Sequence, residues 1–355
     1  MKHKKIGVLT FHRGPNYGGY LQAWHMRQAI RNLGYECEVV NYQNPVHHAA
    51  DIRKFVRFSI SGMRAMVHKY LKARPFKKCV NELSSDAFTT DSSKVNWSGY
   101  DAIVVGSDVI WDYSNAHFGY EKAFFGMAEG QEDCKMVSYA ASCGPTNCDQ
   151  GIPEYVRDGL RKFSWNSVRD ANTHKLTQAC IDKEVPIVVD PTWLQEDPVI
   201  DWSQQPSEPY VLIYGKALDS KSGDLLRSYC HSSDLKLYSA ATPGKWADKV
   251  FRGIDPLQWV SLFANAEAVV TGTLHGLLYA IKYNKPFILV DNPQTHNKAM
   301  TVLSRCKLQQ HLLQPSDLLN DGVFTKFLGE NAVRPSISKE WQESSRMALK
   351  SSLEW

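Results

Sequence analysis

His275 stands in Thr271-Gly272-Thr273-Leu274-His275-Gly276, after the apolar run Ala268-Val269-Val270 and before a helical stretch from Leu277 to Tyr283. A histidine at a helix start lies beside backbone N–H groups that no carbonyl of the helix can satisfy, and the helix dipole favours negative charge there. That setting suits an oxyanion such as phosphate, and an imidazole there can serve as general acid or phosphate-binding cation. The competing reading is a core histidine bonded to a backbone carbonyl. The flanking glycines, Gly272 and Gly276, and the strand-to-helix setting favour the functional one.

Other polar residues sit at the ends of apolar runs. Arg169 follows Trp165-Asn166-Ser167-Val168, a place for bidentate recognition of carboxylate or phosphate, with a surface arginine as the alternative. Asp108 closes Gly106-Ser107-Asp108 after Asp101–Val105, where the glycine admits a ligand closely and a helix N-cap is the competing role. Asp190 ends Pro186–Val189, and Lys216 ends Tyr210–Tyr214. Lys298 is a weaker candidate for an anion clamp. In the loop His12–Gly19, Asn16 and Gly18 read by default as turn residues; with Tyr17 and Gln22 they are candidates for an acceptor or cleft loop.

The elements that position these residues are legible. Ile6–Phe11 reads as a strand, the loop to Gly19 is rich in turn residues, and Leu21, Trp24, Ile30 and Leu33 recur at helical spacing before Gly34 and a second strand, Glu36–Tyr42. Strand, helix and strand make a βαβ unit with a parallel sheet, and such sheets gather active residues at their carboxyl ends. The chain turns polar and proline-bearing from Gln195 to Pro209, then a second α/β pattern opens at Tyr210. The expected architecture is α/β: an N-terminal domain over 1–197, a C-terminal domain over 208–330, and a terminal helix within 331–355 that packs back on the first domain. Two Rossmann-like domains would then face a cleft.

Several function classes are excluded or disfavoured. The net charge of +4 is mild and does not suggest nucleic-acid binding. No segment approaches the ~18 consecutive apolar residues of a membrane span, and the basic N-terminus lacks the apolar run of an export signal. The eight cysteines include no Cys-x-x-Cys pair, so reduced thiols and no metal site are expected, and the location is expected to be cytoplasmic. There is no Walker A loop, no dinucleotide Gly-x-Gly-x-x-Gly after the first strand, and no Gly-x-Ser-x-Gly elbow. Residues 52–78 carry nine Lys/Arg and no acid. They read as a solvated amphipathic helix or as a peripheral membrane contact at the inner face.

Taken together, the motifs Asn16–Ala23, Gly106–Trp111, Ser138–Ser142, Ser167–Asp170, Asp190–Thr192 and Thr271–Gly276 resemble the polysaccharide pyruvyltransferase family, in its order, over roughly residues 5 to 313. The resemblance implies a fold like that of the GT-B glycosyltransferases and phosphoenolpyruvate as donor substrate, with no cofactor. It implies transfer of pyruvate onto two hydroxyls of a sugar as a ketal, in capsule or exopolysaccharide biosynthesis, with a lipid-linked oligosaccharide among the acceptors. The family's motif histidine maps onto His275 and the arginine of its Ser-x-Arg-[Asp/Glu] motif onto Arg169. On this view His275 takes the acid or phosphate role, Asp108 activates a hydroxyl, and Arg169 anchors the donor together with Gly276, Lys216 and Lys298; Ser107 and Asp190 line the cleft. The first two roles are exchangeable. One position departs: many members have arginine where this chain has Thr273. Alternatives are a nucleotide-sugar glycosyltransferase of the same architecture and a degenerate, non-catalytic member.

Overall fold

A computed structural model describes residues 4–14, 16–55, 74, 76–116, 121–198, 202–203 and 205–355. The basic segment 52–78 therefore lies largely outside the described residues. The chain divides into two compact units, 1–195 with 339–355, and 196–338.

In the first unit, short runs become parallel strands, of which the central two are almost wholly apolar and buried on both faces. They are β1 (Lys5–Leu9), β2 (Glu36–Val39), β3 (Ala102–Val105) and β4 (Lys135–Ser138), arranged β2-β1-β3-β4. Ile6 aligns with Ala102 and with Cys37, and Val105 with Ser138. Helix α1 (Tyr17–Asn32) crosses from β1 to β2, and α2 (Pro45–Phe55) follows β2. The core beneath gathers Leu9, Ile103, Trp111, Phe124, Phe125 and Leu160.

The runs 165–168 and 186–189, expected as strands, extend the sheet only through single bridges: Val137 with Trp165, Ala141 with Val168, and Val168 with Ile187. Pro186 has no N–H to give to a ladder, which limits what can form there. Helices α3 (Glu154–Lys162) and α4 (Ala171–Gln178) flank this region.

The terminal helix, Lys339–Ser352, covers that edge within the same unit. The Trp341 indole donates to the Ile187 carbonyl at 2.9 Å, and the Val189 N–H donates to Ser345 Oγ at 3.0 Å. A covered edge cannot recruit a foreign strand.

The second unit holds six parallel strands in the order β10-β9-β8-β5-β6-β7. They are β5 (Tyr210–Tyr214), β6 (Lys236–Ala240), β7 (Lys249–Phe251), β8 (Ala268–Thr271), β9 (Phe287–Val290) and β10 (Leu312–Leu313). Helices α5 (Ser220–Ser232), α6 (Pro256–Ala264), α7 (Leu274–Lys282), α8 (His296–Cys306) and α9 (Val323–Leu328) connect or flank them, and the Lys339–Ser352 helix is α10. The polar stretch from Gln195 to Pro209 carries the boundary, with Gln195 the last residue of the first unit and Glu196 the first of this one. Buried Asp197 pairs with Lys282 Nζ at 2.7 Å and accepts from Tyr283 at 2.8 Å.

Strand order reverses once in each sheet, between β1 and β3 and between β5 and β8. In open α/β sheets the crevice at such a switch point, outside the carboxyl ends, is where ligands bind.

Candidate active site

At the first switch point the chain leaves β1 through Thr10–Gly14 and β3 through Gly106–Asp108. The backbone at 106 needs glycine: its φ is +115°, and a Cβ would stand 2.4 Å from the Tyr139 carbonyl. Asp108 takes φ +76°, a region that aspartate tolerates better than most residues. It is held there because its carbonyl accepts from Ser142 N at 3.0 Å. Its side chain accepts from the Val109 N–H at 2.8 Å and is 14% exposed. No helix begins at Asp108, so the N-cap reading is set aside.

Behind Asp108 lies a closed polar cluster. Arg169 Nη1 donates to Asp190 Oδ2 at 2.8 Å and to Ser107 Oγ at 3.1 Å, and its Nη2 is 4.0 Å from Asp108 Oδ1. Burial depresses the Arg169 pKa, but Asp190 and Asp108 outweigh it and the group stays above its ordinary value. Asp190 accepts from the Thr192 N–H at 3.1 Å and hydroxyl at 2.9 Å.

This corrects three expectations. Ser107, Arg169 and Asp190 are buried at 0%, 2% and 4% exposure, so none lines an open surface. Arg169 pairs with Asp190 and lies 4.0 Å from Asp108. The structure does bring together Ser107, Asp108, Arg169 and Asp190, four residues spread over 84 positions of sequence.

The candidates of the first loop each have a structural setting. Asn16 caps α1, its side chain accepting from Gly18 N at 3.1 Å. Tyr17 is fully buried against Phe76, with ring centroids 4.7 Å apart. Gln22 is fully buried and its amide donates to Thr10 Oγ1 and to the carbonyls of Phe11 and Gly19. It clamps the loop from below.

Sequence reasoning passed over Thr10, His12 and Asp170. Thr10 Oγ1 donates to the Ser107 carbonyl at 2.8 Å, and the Thr10 carbonyl accepts from His12 Nδ1 at 3.0 Å. Burial is the main cause that lowers the His12 pKa to about 4. Asp170 caps α4 through Thr173 and accepts from Ser142 Oγ at 2.6 Å. The signal available was position: Thr10 and His12 are the polar residues that directly follow the first strand.

At the second switch point, α7 begins as the Thr271–Gly276 motif implies. His275 is its second residue and is half-buried. Thr273 is the N-cap, its hydroxyl accepting from Gly276 N at 3.1 Å. That amide is therefore already satisfied within the turn. Gly276 is required for closeness instead, since a Cβ there would meet Thr271 Oγ1 at 2.1 Å. A Cβ on Gly272 would stand 2.9 Å from the Lys216 carbonyl, so the β5 and β8 loops touch. Lys216 is exposed at that contact. The Gly272 carbonyl accepts from Asn292 Nδ2 at 2.8 Å and Thr295 Oγ1 at 3.1 Å, drawing in the start of α8, where Lys298 is half-buried. One helix start thus carries a histidine with the lysine-bearing segments Gly215–Lys216 and His296–Lys298 tied to its turn.

Among the described residues no group of three or more His, Cys, Asp or Glu could hold a metal ion, and no helix is long and apolar enough to cross a membrane.

Comparison with solved structures gives a consistent fold. The chain resembles S. aureus MnaA with UDP at TM-score 0.55 and 12% identity, over 99% of this chain and 97% of that one. It resembles the Neisseria meningitidis UDP-GlcNAc 2-epimerase bound to UDP-GlcNAc at 0.54 and 10%, over 98% and 99%. The putative UDP-N-acetylglucosamine 2-epimerase of Listeria monocytogenes gives 0.53 and 11%, over 98% and 91%. Identities this low bear on fold alone, and that fold is the GT-B class of two Rossmann-like α/β regions. A comparison with curated proteins found no match. The family model for polysaccharide pyruvyl transferase matches residues 16–294, and the chain belongs to that enzyme family.

Proposed function

We propose that this transferase moves pyruvate from phosphoenolpyruvate onto two hydroxyls of a sugar, forming a ketal. The observation that carries the reading is the α7 start, where His275 lies in the first helical turn and two lysine-bearing segments are tied to the same turn. A donor with a phosphate and a carboxylate needs such a positive edge, and the remaining first-turn amides add to it.

The chemistry follows. Protonation of the donor's vinyl carbon C3 leaves an oxocarbenium-like C2, one sugar hydroxyl adds to C2, and the second displaces phosphate. His275 takes the acid or phosphate role, and Lys216 and Lys298 the remaining negative charge. Asp108 receives a hydroxyl proton, held in place by Arg169. The setting proposed is the cytoplasm, with a lipid-linked acceptor held near the inner membrane face by the basic segment 52–78.

Phosphate release from phosphoenolpyruvate with a panel of sugars tests this, wild type beside His275→Ala. The expected loss is at least ~100-fold. A folded His275→Ala protein with near-normal turnover overturns the assignment. A nucleotide-sugar transferase is the second reading, favoured by the UDP named for the S. aureus neighbour. Thermal protection by a uridine diphosphate sugar and none by phosphoenolpyruvate would select it.

A further inference from the structure

His12 occupies a position that neither the fold nor the roles above explain. Its ring is 3% exposed, and its Nδ1 faces the Thr10 carbonyl at 3.0 Å. A carbonyl only accepts, so Nδ1 carries the hydrogen and Nε2 presents a lone pair. Nε2 is buried and finds no hydrogen-bond partner among the described residues. The Asn41 side chain lies beside it, with its oxygen accepting from Arg13 and one of its two amide hydrogens going to the Asp86 carbonyl. A buried acceptor without a donor is a standing cost that native structures seldom keep without reason.

His12 lines a small recess, with room for about one water or hydroxyl, together with Thr10, Phe11, Arg13, Tyr42, Gln43 and His47. The chemistry of the recess narrows the ligand. A lone pair repels an anion and invites a hydrogen-bond donor; Arg13 on one side and the His47–Asp51 pair on the other, 3.5 Å apart, leave the recess without a strong excess of either charge. A neutral O–H donor fits that surrounding, and a sugar hydroxyl is one. The recess is also tied to Asp108: Thr10 holds the His12 ring through its carbonyl and the Ser107 carbonyl through its hydroxyl.

The geometry points to His12 as the second proton acceptor of the site: the recess holds one hydroxyl of the sugar acceptor, and Nε2 takes its proton as the oxygen bonds to the donor carbon. This rests on the proposed donor chemistry. A ketal consumes two hydroxyls, so two O–H protons must leave, and Asp108 serves one. In the step assigned to His12 the O–C2 bond forms, the O–H bond breaks and the proton passes to Nε2; phosphate leaves when the second hydroxyl adds. A weak base suffices, because a hydroxyl bonded to a cationic carbon becomes a strong acid.

The test uses the full chain with methyl hexopyranosides as probes. His12→Asn keeps a group facing the Thr10 carbonyl and leaves nothing at the Nε2 position. Its kcat/KM for the sugar should fall at least ~100-fold, with thermal protection by phosphoenolpyruvate unchanged. His12→Gln restores an acceptor but no base, so the sugar KM should stay near wild type while kcat falls. Turnover in His12→Asn within about threefold of wild type overturns the inference. If wild type releases no phosphate with any probe, the donor reading fails, and His12 is judged by the histidine ¹⁵N resonances of wild type titrated with the same sugars. A shift at the His12 Nε2 signal supports a hydroxyl site, and no shift, meaning a bound water only, overturns it. The same titration decides the matter if His12→Asn does not fold.

Discussion

Arg169 donates to Asp190 across 2.8 Å with both side chains closed to solvent, while its other terminal nitrogen reaches to 4.0 Å from Asp108. One guanidinium thus spans a fully buried carboxylate and a partly exposed one. The buried partner holds the arginine, whose other terminal nitrogen faces the Asp108 carboxylate.

Removing the buried partner should therefore be severe. Asp190→Ala strands a guanidinium inside the first unit and should cost about 3–5 kcal/mol, read as a lower urea midpoint. The Arg169→Leu/Asp190→Leu double variant removes both charges and should recover much of that loss. A single variant within about 1 kcal/mol of wild type would show that the pair is hydrated, against its burial.

How far the sequence disclosed this site depends on the range of the interaction. The strand–loop–helix units were legible because each apolar run ends in small or polar residues, and the Thr271–Gly276 start of α7 is read almost directly from its glycines. Arg169 was legible as the polar residue that ends an apolar run, yet its burial was invisible: Asp190 lies 21 positions away, and nothing local says that the two meet. His12 was hidden for the same reason. A lone histidine after a strand has no pattern of its own, and its meaning comes from the Thr10 carbonyl and the walls around it.

Thr273 caps α7 through its hydroxyl, a job that an arginine side chain cannot do. Thr273→Ala leaves the Gly276 amide without its cap and should cost about 1 kcal/mol, whereas Thr273→Ser should stay within a few tenths. Chemical denaturation of both variants gives the comparison. Equal midpoints for Ala and Ser would mean that water caps α7 as well as Thr273 does.

Gly276 should tolerate even a methyl group poorly. A Cβ there would stand 2.1 Å from Thr271 Oγ1, a hydroxyl anchored on the Tyr214 carbonyl at 2.9 Å. Gly276→Ala should cost about 1–3 kcal/mol through overpacking. Thr271→Ala in the same chain removes the clashing atom, so the two changes together should cost less than their sum. Simple additivity would place the strain elsewhere in the turn.

His12 also predicts a pH signature in stability. Its pKa is about 4 in the folded chain against an ordinary 6.5, chiefly because burial disfavours the charged ring, with Arg13 adding repulsion and the Thr10 carbonyl and Asn41 opposing. Between those values the unfolded chain binds a proton that the folded chain refuses, so stability rises with pH across that window. The full difference between pH 4 and pH 6.5 is about 3 kcal/mol from this one residue. His12→Asn abolishes the titration, so the stability gap between wild type and variant should widen as pH rises through the window and level off above it. Urea midpoints at half-unit steps from pH 4 to pH 7.5 measure the gap. A constant gap would mean that the ring is charged, or open to water, in the folded protein, and the neutral Nε2 assigned to it would be wrong.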